Sequence, residues 1–248
     1  MGRSQKIILT IMGKADLHVH TYHSPDALSS IKGVLKRAKG RQLDIIGITD
    51  HDTIHGAKKA KELAPEFGIE VVIGEEITAK EGGLIALFIQ EKISPNRPVE
   101  ETVREIHQQG GLAIVPHPDN WLPGGIPFDV IMKVFDNLDG IELLNGAWFG
   151  WRRAEESKKL NNSTFNLAPT GGSDSHLASQ VGCAYTVFSG KTPADLYASI
   201  KEKKTWAEGN YWSWKDRIFW LLSTPRILYK YPQLPVITAQ NIFKRIFS

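Results

Sequence analysis

Between Asp16 and Asp26, in the stretch KADLHVHTYHSPDA, the chain places three of its eight histidines beside two aspartates. Imidazole nitrogens and carboxylate oxygens are the donors that zinc, manganese and iron ions accept. His18 and His20 are two residues apart, and on an extended strand that spacing turns both rings to one side, where they can grip one ion. Taken alone, the pair reads equally well as two polar residues at a strand end. Four more clusters follow. TDHDT sets His51 between Asp50 and Asp52, GEEIT holds Glu75 and Glu76, VPHPD holds His117 between prolines, and GGSDSH sets Asp174 and His176 two apart. A carboxylate can fix the second ring nitrogen of a ligand histidine, while Asp52 or Thr53 can also cap a following helix. Only one of two adjacent strand glutamates can face the site. Five histidines and several carboxylates together predict a multinuclear metal site.

Something must bring these clusters to one place. Short apolar runs predict strands at Ala15–Val19, Asp44–Thr49, Glu70–Ile73, Leu84–Ile89, Leu112–Val115, Gly140–Leu144, Ala184–Phe188 and, less sharply, Leu167–Thr170. Helix-period segments lie between them. Ser29 or Ser30 caps one that runs toward Lys39 with Ile31, Val34, Leu35 and Ala38 on one face. Pro98 and Glu100 open another that Gly110 and Gly111 close, and Thr192-Pro193 reads as an N-cap with a first-turn proline. Strands alternating with helices predict a parallel sheet or barrel. The polar clusters all fall at strand ends, and in a (β/α) barrel such ends form the rim on which active sites are built.

The ordered set DLHVHTxxSPDA, ITDHDT, GEEI, VPHPD and GGSDSH resembles the PHP (polymerase and histidinol phosphatase) family of metal-dependent phosphoesterases, over roughly residues 14–205. The resemblance implies an α/β fold, a distorted (β/α)7 TIM-like barrel, with two or three divalent ions (Mn, Zn or Fe) at its C-terminal rim. It implies metal ligation by His18, His20, Asp26, His51, Glu76, His117, Asp174 and His176. Glu76 rather than Glu75 matches the bridging glutamate, and His18, His20, His51, Glu76, Asp174 and His176 carry the catalysis. One departure stands out: many relatives have another histidine between the bridging glutamate and the HP motif. Here that interval holds only His107, on a predicted helix, where it reads as a surface residue. His23 and His55 lie near motifs but off pattern, as outer-layer or surface residues. Forty residues separate Glu76 from His117, too few for an inserted cap domain.

The expected reaction is hydrolysis of a phosphate ester by a metal-bridged hydroxide. A nucleotide or oligonucleotide is the first candidate substrate and a small molecule, as in histidinol phosphatases, the second. A non-catalytic metal-containing protein that binds partners through its C-terminal tail is the alternative outside enzymology. Arg152 and Arg153 are candidates for gripping a substrate phosphate, or else the solvated start of a helix ending near Lys159.

Composition sets the remaining bounds. A single cysteine, Cys183, excludes an internal disulfide and suits a reducing, cytoplasmic location. No apolar run is long enough for a transmembrane helix, and Ile7–Met12 reads as a first strand or as an extension ahead of a start at Met12. Residues 1–205 are expected to form the phosphoesterase domain and 206–248 an extension. Residues 201–248 carry nine Lys/Arg against three Asp/Glu, and 206–248 hold four of the seven tryptophans. That extension could pack on the barrel or a second subunit, lie on an anionic membrane, or hold single-stranded nucleic acid. Within it AQNIFKRIF could form a short amphipathic helix, and Pro225, Pro232 and Pro235 rule out one long helix.

Overall fold

The computed structural model describes residues 11–119 and 124–230, with side chains described to 223. The segments Ile7–Thr10 and AQNIFKRIF lie outside these bounds. Nine strands are joined in the order β7-β6-β5-β4-β3-β2-β1-β8-β9. They are β1 (Met12–Val19), β2 (Ile45–Ile48), β3 (Glu70–Thr78), β4 (Gly83–Leu87), β5 (Leu112–Val115), β6 (Gly140–Asn145), β7 (Ala168–Gly172), β8 (Ala184–Ser189) and β9 (Thr205–Gly209). The helices are α1 (Ile31–Gly40), α2 (His55–Leu63), α3 (Val99–Gln108), α4 (Phe128–Val134), α5 (Ala154–Leu160), α6 (Pro193–Lys201) and α7 (Trp214–Lys230).

The architecture is α/β, with a nearly closed, barrel-shaped sheet. Pairing is parallel for β1–β2, β2–β3, β5–β6 and β6–β7. It is antiparallel at the β3–β4 hairpin, at β4–β5, and where β8 joins β1 and β9. Those antiparallel pairs are what distort the barrel. The sheet ends meet through threonines: the Thr186 hydroxyl receives the Gly171 N–H at 2.9 Å and donates to the Gly171 carbonyl at 3.0 Å. The Thr205 hydroxyl donates to the Pro169 carbonyl at 2.7 Å. Side chains thus close a seam that no backbone ladder spans.

Local sequence explains the elements. Every residue of β2 is buried, as expected of a strand covered on both faces. Ser30 caps α1 by accepting the Gly33 N–H, and Ile31, Val34, Leu35 and Ala38 form its buried stripe. That stripe packs with Ile46 and Ile48 of β2 and Ala57 and Ala60 of α2. Thr192 and Asp195 form a reciprocal capping box at α6 with Pro193 in the first turn. Another apolar cluster joins Ala15, Ile45, Val72, Ile85, Ile114 and Ala168, from six strands, to Leu196 and Ile200 of α6.

Two expectations change. β3 runs on to Thr78, because residues 74–78 pair with β4 across a hairpin, so Glu75 and Glu76 lie within a strand rather than after one. Pro225 does not end α7, which continues to Lys230. The proline removes one backbone donor, to the carbonyl of Leu221, whose own side chain is about half exposed. β9 spans the position at which the sequence suggested that the extension begins.

Candidate metal centre

His18 is the penultimate residue of β1, and His20 follows the strand. Both are fully buried. The turn after them is folded by the buried Asp50 carboxylate, which receives the Thr21 N–H at 2.6 Å and the hydroxyls of Thr21 and Ser24 at 2.8 and 3.1 Å. His51 forms an isolated parallel bridge with Glu76, prolonging the β2–β3 pairing to the site. His117 follows β5 and Asp174 follows β7, each at positive φ, +27° and +50°. Such backbone is costly for a non-glycine residue and is found where surrounding structure over-determines it. His20 donates its N–H to the Ser175 carbonyl at 2.9 Å, tying the two motifs together.

These elements bring all eight expected ligands into one cluster, with Glu76 at its centre. Glu76 Oε2 lies 3.2, 3.3 and 3.4 Å from His18 Nε2, His20 Nε2 and His51 Nδ1, and Oε1 lies 3.4 Å from His117 Nε2. Asp174 Oδ1 is 3.5 Å from the Nε2 atoms of both His18 and His20. Asp26 Oδ2 lies 3.1 Å from His176 and 3.3 Å from His51. Asp26 and His51, with side chains 27% and 29% exposed, mark the mouth.

The donor set fits divalent ions. Three groups of ligand atoms each lie within 4.8 Å: His20, His51, His176; His18, Glu76, His117; and His18, His20, Asp174. The 3.1–3.5 Å separations within the cluster match the ~3.3 Å edge between ligands held tetrahedrally at 2.0–2.1 Å. Ring tautomers are prepared as well. His18 Nδ1 faces Glu142 Oε1 at 3.3 Å and His176 Nδ1 faces the Asp174 carbonyl at 2.9 Å. His20 Nδ1 faces Ser24 Oγ at 3.0 Å, and that oxygen already receives the His51 N–H and donates to Asp50. Each partner must accept, so each Nδ1 carries a hydrogen, and Nε2 is the atom each ring can turn to a metal ion once its own proton is gone. Asp26 Oδ1 and His117 Nδ1 are buried without a hydrogen-bond partner among the described residues.

Electrostatics point the same way. Burial alone would lower the histidine pKa values, but the carboxylates outweigh it. Asp26 and Glu76 raise His51 to about 10, and Asp26 and Asp174 raise His176 to about 9. His18 and His117 are raised too, by Asp174, Glu142 and Glu76 in the first case and mainly by Glu76 in the second. Burial would raise Asp26, Glu76 and Asp174, yet the histidines around them hold all three low. The site stabilises positive charge, which protons or metal ions can supply.

Other sequence expectations sort themselves by position. Glu75 points away from the cluster, and its carboxylate accepts the Ile93 N–H at 2.8 Å. Neither Asp50 nor Asp52 holds the His51 ring: Asp52 receives the Thr78 N–H and hydroxyl instead. His107 meets Asp139 at 2.8 Å, just before β6 and away from the rim. β4 carries no histidine, and a Cβ on its first residue, Gly83, would meet Glu76 Oε1 at 2.8 Å. His23 stacks on Tyr22, and His55 is exposed at the start of α2. Arg153 pairs with Asp119 at 3.2 Å and Glu156 at 2.6 Å, and lines a small cavity with His117 and Asn145. The Arg152 guanidinium lies over Phe149 and Trp151.

Several site residues escaped sequence reasoning. Glu142 receives the His117 N–H at 2.9 Å and an Asn145 amide hydrogen at 2.8 Å, and Asn145 also donates to Asp174. The available signal was a carboxylate inside the apolar run GIELL. Asp16, raised to about 6 by burial against the lowering effect of its hydrogen bonds, receives N–H groups from Ser173 and Gly182. The indole of buried Trp212 donates to the Ser173 carbonyl at 2.8 Å, and Trp212 and Trp220 both meet His176 edge-on.

The chain is 42% identical over 143 residues to an uncharacterized protein of Methanocaldococcus jannaschii, a match covering 53% of this chain and 81% of that one. Shorter matches link it to a phosphoribosyl 1,2-cyclic phosphate 1,2-diphosphodiesterase of Eggerthella lenta, 39% identical over 26% of this chain and 24% of that one. A 5'-3' exoribonuclease of Haemophilus influenzae is 38% identical over 26% and 23%. In structure the chain is similar to a two-domain protein of Bacteroides vulgatus containing a predicted PHP-like metal-dependent phosphoesterase. The TM-score is 0.68 at 21% identity, over 81% of this chain and 66% of that one. The PHP domain model matches residues 16–123, which supply six of the eight clustered residues. A PHP-associated model matches 161–205, which supplies Asp174 and His176. By these matches, and by the cluster they span, the chain belongs to the PHP domain family.

Proposed function

We propose that this protein hydrolyses phosphate esters of nucleotides or oligonucleotides, with two or three divalent ions held by His18, His20, Asp26, His51, Glu76, His117, Asp174 and His176. The observation that carries the reading is the central Glu76, in reach of four histidines through its two oxygens. Such ions supply a water acidic enough to ionise near neutral pH and positive charge against phosphate oxygens. The residues of the chain do the rest. Glu142, Ser24 and the Asp174 carbonyl hold three imidazoles in one tautomer. Asp26 and His51 border the mouth through which a phosphate enters. Arg153, beside His117, is placed to take a second phosphate oxygen once it leaves Asp119. The names of the two short-matching relatives favour a phosphodiester or nucleic-acid end over histidinol phosphate.

The test is phosphate release after chelation and addition of Mn²⁺, Zn²⁺ or Fe²⁺, across adenosine bisphosphate, AMP, 5'-phosphorylated RNA and DNA, histidinol phosphate and an aryl phosphate. Metal-dependent turnover that is fastest on a nucleotide or oligonucleotide, and abolished in His51→Ala and Asp174→Ala, is expected. Faster turnover of histidinol phosphate would select the small-molecule reading. No turnover by protein shown to hold its metals would leave a binding role centred on the tail.

A further inference from the structure

We infer that α7 docks this protein on an anionic lipid surface, lying in the headgroup boundary rather than crossing it. The inference stands apart from whatever the metal centre hydrolyses. One side of α7 is committed to the barrel. Asp216 receives the Ser179 hydroxyl at 2.7 Å, the Arg217 Nε–H donates to the Trp212 carbonyl at 3.0 Å, and Trp220 packs on Trp212 and His176. Along residues 214–222 the rest of the helix surface is largely apolar and open: Leu222 is 71% exposed, Trp214 and Phe219 67%, and Ile218 and Leu221 about half. Five large apolar side chains exposed within nine residues make a patch that a monomer rarely leaves uncovered. No helix among the described residues is long and apolar enough to span a bilayer.

Charge selects the occupant. Apart from Asp216 and Arg217, which face the barrel, helix residues 214–230 carry Lys215, Arg226 and Lys230 and no acidic residue, and the Lys215 ammonium lies 5.5 Å from the Trp214 ring. A second copy placed on this helix would bring like charges together. Residues 231–248 add Lys244 and Arg245 and no acidic residue, so they are no better matched. Nucleic acid would satisfy the cations, but Ile218, Leu221 and Leu222 have no ring face on which a base could stack. An anionic bilayer takes both components: phosphate headgroups meet the Lys and Arg side chains, and aliphatic and aromatic groups enter the acyl boundary. Because Trp220 touches His176, docking through α7 would also hold the metal centre close to the membrane.

The experiment is co-sedimentation of the full chain with phosphatidylcholine vesicles, with and without phosphatidylserine. Expected is binding that requires phosphatidylserine, weakens with added salt, and falls at least about tenfold in Phe219→Asp/Leu222→Asp. Melting temperature and aryl phosphate turnover should stay unchanged in that variant, and Leu222→Asp alone serves if the double variant folds poorly. Absence of binding to phosphatidylserine vesicles, or binding indifferent to the substitutions, overturns the inference. So does a concentration-dependent dimer, or retention of single-stranded DNA, that the same substitutions abolish while vesicle binding persists.

Discussion

The Ser24 hydroxyl serves three groups at once: it donates to Asp50 and receives the His51 N–H and the His20 Nδ1–H. Ser24→Ala leaves the Nδ1 of His20 without its acceptor, so the ring is free to present the wrong nitrogen. The expected result is metal affinity about 10–100-fold weaker at one site, with metal-free melting changed far less. Unchanged affinity in a metal titration would show that Ser24 does not set the tautomer. The raised histidines give a second prediction. With pKa values of about 10 and 9, His51 and His176 are protonated at pH 8 in metal-free protein and must lose those protons on metal binding. Calorimetry in buffers of different ionisation enthalpy should detect net proton release, and a buffer-independent heat would contradict it. Folded pKa values above the ordinary 6.5 also mean that this stabilisation is full below pH 6.5 and is lost as pH rises through 9 to 10. Glu75 shifts stability in the same direction, though from the opposite cause, because here it is the neutral form that the fold favours. Burial pushes its carboxyl up from 4.5 to about 7, so folding is increasingly disfavoured as pH rises through that window. Glu75→Gln should therefore gain in melting temperature, relative to the parent, between pH 5 and pH 8. His18, His20, His51, His117, Asp174 and His176 were legible because their motifs are short and follow apolar runs, whereas Asp26 and the choice of Glu76 over Glu75 came from the family resemblance, and Glu76 lies inside β3 rather than at its end. Glu142 was not, because its partner His18 lies 124 residues away and a lone glutamate in a strand carries no label.

Elements were legible where they announce their own ends. α1 and α6 start at a serine and a threonine whose side chains cap them, and the buried stripe of α1 is the one its apolar spacing predicts. β9 escaped notice because TWAEG is mostly solvent-exposed and shows no apolar alternation. What makes it a strand is pairing with β8, a property of the partner rather than of its own residues. The extension of β3 was hidden for the same reason, since β4 creates it. The seam is a further case: Thr186 looks like any strand threonine, yet it supplies both hydrogen bonds to Gly171. Thr186→Val keeps the shape and removes the hydroxyl, leaving a buried N–H and carbonyl unsatisfied. A loss of about 1–3 kcal/mol in denaturant unfolding is expected. A neutral outcome would mean that the barrel closes by apolar packing alone.

At the scale of the molecule, the question is whether the metal centre needs the chain beyond the regions matched to known domains. The geometry says that it does. After β9, the Trp212 N–H donates to the Gly146 carbonyl at 2.7 Å and its indole to Ser173, one residue before Asp174 of the cluster. Trp212 and Trp220 then wall His176 with their edges. Ending the chain after Lys204 would remove β9, turn β8 into an unpaired edge and delete the Thr205 link across the seam. It would also strip both tryptophans from the rim. That truncated chain should lose cooperative melting or aggregate. Cooperative melting with parental metal affinity in the shorter chain would show that the 146–176 rim holds its shape unaided. The prediction rests on Trp212, which is buried and hydrogen-bonded to the backbone on both sides of the site, at Gly146 and Ser173.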